Sequence, residues 1–251
     1  MKNISNKKTF LRLLIPCVVT TFMVLPYTLA LSPNLAKLFT PPILVAQVIQ
    51  ATLIFSLAIF LGLKLARKVG FEMPVIDGSK PVSWLKSILK LSVGGGVLAG
   101  ILIIILSLLF TDLSTTFLNA EKGVAVWKGF LASFYGGFAE EVVFRLFLMS
   151  LLVWISSKFF KTKEGHPTNV SIWIAIIIST VIFGLGHLGI TGSLTAITPM
   201  VVIRAVLLNG VSIIFALLYW KKGLEAAMIA HFSADIVIHV LTPMVARMII
   251  K

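Results

Sequence analysis

Seven long apolar runs dominate this chain, near residues 9–31, 41–65, 84–110, 126–157, 171–191, 195–220 and 224–245. A helix needs roughly 20 such residues to cross a bilayer. In hydrocarbon every backbone polar group must be satisfied within the spanning element, so runs of this length are read as helices. The expected fold is therefore all-α: a polytopic integral membrane helical bundle with about seven or eight transmembrane helices. The fourth run is too long for one straight span. It carries Gly136 and Gly137 near its middle, so it reads as an interfacial piece followed by a helix starting near Phe138.

Composition supports the same class. Hydrophobic residues make up 58% of the chain and charged residues only 12%, about half the share that a soluble surface requires. The formal net charge of +13 would suit a nucleic-acid partner if the basic residues formed a patch. Instead they sit at the ends of the apolar runs, where anionic lipid and the positive-inside rule account for them. The expected partner is the lipid bilayer, with no nucleic acid. Lys2, Lys7, Lys8 and Arg12 precede or open the first run, and Lys37 stands alone in the next connection. Lys64, Arg67, Lys68 and Lys80 follow the second run, Lys158, Lys161 and Lys163 the fourth, and Lys221 and Lys222 the sixth. This alternation places the N-terminus in the cytoplasm.

The first run also has the form of a signal peptide, with a possible small-residue site at Thr28-Leu29-Ala30, but its length favours an uncleaved anchor. The single cysteine, Cys17, permits no internal disulfide and reads as packing. No repeat or long linker divides the chain, so residues 1–251 are taken as one membrane domain. Residues 66–83 read as an extramembrane loop. Gly96 and Gly100 have the GxxxG spacing that lets helices approach closely.

Ionisable residues inside apolar runs are costly and usually mark function. Here they are Glu140, Glu141, Arg145, His187, Arg204, His231, Asp235 and His239. Residues four apart share a helix face, which pairs Glu141 with Arg145, His231 with Asp235, and Asp235 with His239. The plain reading is that these pairs neutralise one another and hold helices together. It leaves out Glu140, which points about 100° away from Glu141 on a regular helix and has no opposite charge at helical spacing. A carboxylate beside an imidazole in a desolvated cavity can hold and deprotonate water. Two histidines and a glutamate would also make a zinc ligand set. The chain has no His-Glu-x-x-His, however, and the candidate ligands come from three separate segments. No metal and no cofactor are assigned.

Three short motifs carry a resemblance. "EEVVFR" at 140–145 fits Glu-Glu-x-x-x-Arg, "FGLGH" at 183–187 fits Phe-x-x-x-His, and "HFSAD" at 231–235 fits His-x-x-x-Asn/Asp. In this order on separate apolar runs they resemble the CPBP family of intramembrane proteins. That family includes type II CAAX prenyl endopeptidases, Abi proteins and bacteriocin-processing or immunity proteins. The similarity covers residues 125–245. It implies a helical bundle with a conical cavity and a glutamate-dependent, metal-independent endopeptidase acting on a hydrophobic or prenylated peptide or protein. By the resemblance Glu140 acts as general base, His187 positions the water, and His231 with Asp235 stabilises the oxyanion. Glu141, Arg145 and Phe183 support the site. An ionised Asp235 would repel an oxyanion, so the preferred role for it is to orient His231 and favour its cationic form.

The expected location is a bacterial plasma membrane. A non-catalytic bacteriocin immunity or binding protein and a proton-coupled transporter are the competing readings. Arg204 is assigned to snorkelling or an ion pair, His239 to support of the His231 and Asp235 face, and His166 to a solvated loop. Residue counting puts His187 and His231 at different depths, with a break at Gly184, Gly186 and Gly189 or an irregular sixth run as the ways to reconcile them.

Overall fold

The computed structural model describes residues 6–37 and 39–249. Lys2, counted above with the basic start of the chain, lies outside them. Among the described residues the chain is helical throughout, apart from loops and one isolated bridge between Lys161 and Pro167. Among the described residues six helices are long and apolar enough to cross a membrane: α1 (Lys7–Leu31), α2 (Pro41–Val69), α3 (Val82–Lys122), α5 (Asn169–Gly192), α6 (Pro199–Lys222) and α7 (Leu224–Met248). The seventh, α4, occupies residues 126–156. This is an integral multi-pass membrane protein.

Local chemistry sets the helix ends. α2 starts at Pro41 and Pro42, where the missing N–H groups cost nothing. It stops at Gly70, whose φ of 79° lets the chain turn left-handed while its N–H returns to Ala66. The Thr168 and Thr198 hydroxyls accept from Ser171 and Val201 and cap α5 and α6. α6 and α7 are joined by Gly223 alone, at a φ of 94°. The Leu224 N–H then donates to Glu72 O at 3.0 Å, tying this corner to the α2–α3 loop.

The bundle closes on α7, whose small residues admit the backbones around it. α7 packs most extensively against α3. A Cβ at Gly100 would come within 2.7 Å of Val237, and one at Gly96 would overlap the Ala230 carbonyl. The close approach expected from the GxxxG spacing is therefore made by α3 to α7. Cys17 is fully buried as a free thiol in the main core.

α4 differs from the sequence expectation. It does not break at Gly136 and Gly137 but continues through them with widened, π-type turns over Tyr135–Glu140 and Val142–Met149. Such turns leave the helix continuous while shifting its register, and they gather at functional sites. The two glycines are explained by packing against α7. A Cβ at Gly137 would meet Phe232 at 2.9 Å, and one at Gly136 would overlap the Asp235 carboxylate.

Candidate active site

His231, in the second turn of α7, is the centre of the polar cluster. Its side chain is almost fully buried, with the ring stacked on Phe215 at 4.7 Å between centroids and met edge-on by Phe183 at 5.6 Å. Those two rings fix the imidazole plane. Its Nδ1 lies 2.8 Å from Glu141 Oε1, and because a carboxylate only accepts, Nδ1 carries the proton and donates. Its Nε2 faces Glu140 Oε2 at 3.7 Å and Asp235 Oδ1 at 3.7 Å.

The adjacent glutamates of α4 thus reach opposite edges of one ring. Glu141 is fully buried and also pairs with Arg145, Oε2 to Nε at 3.3 Å, one turn along α4. Arg145 is fully buried too. Its Nη2 donates to Ser212 O at 3.2 Å, where α6 loosens around Val211–Ser212, and its guanidinium lies 5.5 Å from the Phe183 ring centroid. The Glu141–Arg145 pair therefore holds α4, α6 and α7 together and also orients His231. Asp235 was expected to orient the ring. The bonded partner is Glu141, whereas Asp235 stands beside Glu140 at the Nε2 edge.

Glu140 remains partly accessible and opens into a cavity of about 490 Å³ bounded by α1, α2, α4 and α5. Phe183 and His187 line the same cavity. The His187 Nδ1 donates to the Phe183 carbonyl at 2.9 Å, which leaves Nε2 as its free nitrogen. Phe183 links the two histidines, its ring meeting both imidazoles edge-on. His187 itself ends the long part of α5 before a last turn, Leu188–Gly192.

Several polar residues here were not singled out from sequence. Thr21 of α1 and Gln47 and Gln50 of α2 line the cavity across from α4. Gln47 Oε1 is buried without a hydrogen-bond partner. A second cluster lies further along α7. The Tyr27 hydroxyl donates to Glu121 Oε1 at 2.5 Å, and His239 Nδ1 lies 2.8 Å from that hydroxyl and 3.0 Å from the same carboxylate oxygen. His239 thus belongs with Tyr27 and Glu121 on other helices. Arg204 lies over the Phe117 ring at 4.3 Å. Near the opposite end of α7, Glu225 Oε1 accepts from the N–H groups of Val75 and Ile76, each at 2.8 Å, and orders the α2–α3 loop. His166 lies exposed in the loop before α5, as expected. Among the described residues no three His, Cys, Asp or Glu side chains converge in a metal-binding group.

The arrangement holds a carboxylate that water can reach, an imidazole with one nitrogen locked and the other directed at that carboxylate, and a second imidazole on the same cavity. Residues 122–237 match the family model described as type II CAAX prenyl endopeptidase Rce1-like. That segment contains Glu140, Glu141, Arg145, Phe183, His187, His231 and Asp235, whereas α1, α2 and nearly all of α3 lie before it. No curated protein and no solved structure matches the chain.

Proposed function

Since residues 122–237 match the Rce1-like family model, which supports membership of the CPBP family, we propose that this chain is a glutamate-dependent, metal-independent intramembrane endopeptidase of the CAAX type. The observation that carries the reading is the placement of Glu140. It is the one carboxylate of the cluster that both faces His231 Nε2 and lines the cavity.

In this reading Glu140 takes a proton from water as the water oxygen bonds to the scissile carbonyl carbon. His187, with Nδ1 committed to Phe183 O, accepts from the same water through Nε2 and fixes its position. The carbonyl electrons move onto oxygen, and His231, protonated on both nitrogens, donates Nε2–H to the oxyanion. Glu140 then delivers its proton to the amide nitrogen as the C–N bond breaks. A base held in place contributes roughly 10² to 10⁴ in rate, and one preorganised oxyanion donor on the order of 10² to 10³. Asp235 helps keep His231 cationic and makes no direct contact with the oxyanion.

The substrate is a membrane-associated peptide, prenylated or carrying a hydrophobic residue near the scissile bond. The cavity volume suits one extended segment. Ile54, Phe55, Phe144 and Ile190 offer the apolar wall, and Gln47 and Gln50 the groups that pair with peptide N–H and C=O. α2 packs on α1 and α4 while α5 packs on α4 and α6, so the cavity between α2 and α5 faces the bilayer from which such a substrate comes.

The N-terminus is proposed to be cytoplasmic. Arg12 donates to Ile76 O, and Lys68 and Lys158 both lie over the Trp154 ring. These contacts gather the basic start of the chain, the α2–α3 loop and the loop after α4 at one end of the bundle, as the positive-inside rule requires of a cytoplasmic face.

The reading is tested with purified protein in detergent offered a prenylated peptide and a panel of hydrophobic peptides, with and without chelator. Cleavage that persists in chelator supports it. Cleavage abolished by chelator and restored by zinc refutes the metal-free mechanism, and absence of cleavage across the panel refutes the substrate assignment.

A further inference from the structure

A second concave surface lies on the lipid-facing side of the bundle, away from the Glu140 cavity, and no step of the proposed hydrolysis uses it. It is a groove of about 470 Å³ between α3 and α6. Lys90, Gly94 and Leu98 follow one another at four-residue spacing along α3 and share one face. The antiparallel α6 presents Ile214 deeper in the groove and Lys221 and Lys222 at its end, so apolar walls rise to a rim of three ammonium groups.

Two features bear on what this groove can take up. Gly94 faces open space on the groove wall, since a Cβ there would meet nothing within 4 Å. In addition, none of the three lysines forms an ion pair among the described residues. Only Lys221 has a partner of any kind, lying 3.5 Å over the Trp220 ring. A rim of uncompensated positive charge at the end of an apolar slot complements a molecule with an anionic head and a hydrocarbon tail.

We propose that this groove binds one anionic phospholipid, with an acyl chain seated over Gly94 between α3 and α6 and the phosphate held by Lys90, Lys221 and Lys222. Long lysine side chains at a helix end reach the headgroup level while their stems cover apolar surface. Each basic residue near the headgroups favours an anionic lipid by about fivefold. The lipid would staple α3 to α6 at a surface that shares no residue with the Glu140 cavity.

The test is native mass spectrometry of the full chain, released from detergent micelles containing equal amounts of phosphatidylglycerol and phosphatidylcholine of the same acyl length. The wild type is expected to retain phosphatidylglycerol preferentially, by at least tenfold if two lysines engage it. Lys90→Gln/Lys221→Gln/Lys222→Gln abolishes the preference, and the corresponding triple arginine variant keeps it. Gly94→Leu lowers retention of both lipids by filling the slot. Soluble glycerol 3-phosphate does not displace the bound lipid. Equal retention of the two lipids by the wild type overturns the proposal. So does a preference that survives in the glutamine variant, unchanged retention in Gly94→Leu, or displacement by glycerol 3-phosphate.

Discussion

His231 Nδ1 lies 2.8 Å from Glu141 Oε1, joining residues 90 positions apart in the chain. The bond sets the rest of the site. It fixes which ring nitrogen is spoken for, and so directs Nε2 to the space between Glu140 and Asp235. Glu141 is held in turn by Arg145, so the ring's orientation depends on a fully buried ion pair that never meets the cavity.

That dependence predicts separate effects on stability and rate. Arg145→Met strips the buried Glu141 carboxylate of its guanidinium and leaves it only His231, and is expected to cost about 3–5 kcal/mol of stability. Adding Glu141→Leu to Arg145→Met recovers most of the thermal stability, because the pair then leaves together. Activity stays down by roughly 10 to 100-fold, since His231 loses its orienting acceptor. Melting temperature and cleavage rate measured on the same preparations check this. Recovery of both together would mean that Glu141 has no orienting role.

Gly136 lies where α4 crosses α7, and a Cβ there would overlap Asp235 and come within 3.1 Å of His231 Nε2. Gly136→Ala is therefore expected to push the two helices apart at the site, lowering stability by about 1–3 kcal/mol and cleavage by a larger factor. Gly210→Ala, at an open position, is the matched control and should change neither.

Gln47 Oε1 is buried without a partner beside the cavity. If it pairs with substrate backbone, Gln47→Leu should raise KM with little change in kcat, because uniform binding is lost and the reacting groups are untouched. A fall in kcat at constant KM would place Gln47 in the chemistry instead.

The Tyr27–Glu121–His239 cluster fastens α1 and the end of α3 to α7. Tyr27→Phe removes a donor from a part-buried carboxylate and is expected to destabilise the bundle by about 1–3 kcal/mol, with faster amide exchange in residues 111–122. Unchanged exchange there would show that the α3 end is held by other contacts.

Much of this site could be read from the sequence because its chemistry is local in spacing. Glu141 with Arg145 and His231 with Asp235 are one-turn pairs in apolar runs, and Glu140 had no partner on its own helix. The spacing could not show that the pairs interlock, with Glu141 reaching His231 on another helix, since that depends on how α4 crosses α7. The break expected at Gly136 and Gly137 failed for a related reason. Glycine in a long run suggests a hinge, whereas here it makes room for a neighbouring carboxylate and backbone. Glu121 escaped notice because it lies beyond the third apolar run, on the polar end of α3. Gln47 and Gln50 are uncharged, and only the cavity around them gives them meaning.

The central claim is that Glu140 is the base. The most direct measurement is the cleavage rate of Glu140→Gln against wild type on a peptide that the wild type hydrolyses, with both proteins eluting and melting alike. The account predicts a loss of at least about 10² in kcat for a variant that keeps the size and hydrogen-bonding capacity of the side chain. A Glu140→Gln protein that cleaves at the wild-type rate would contradict it.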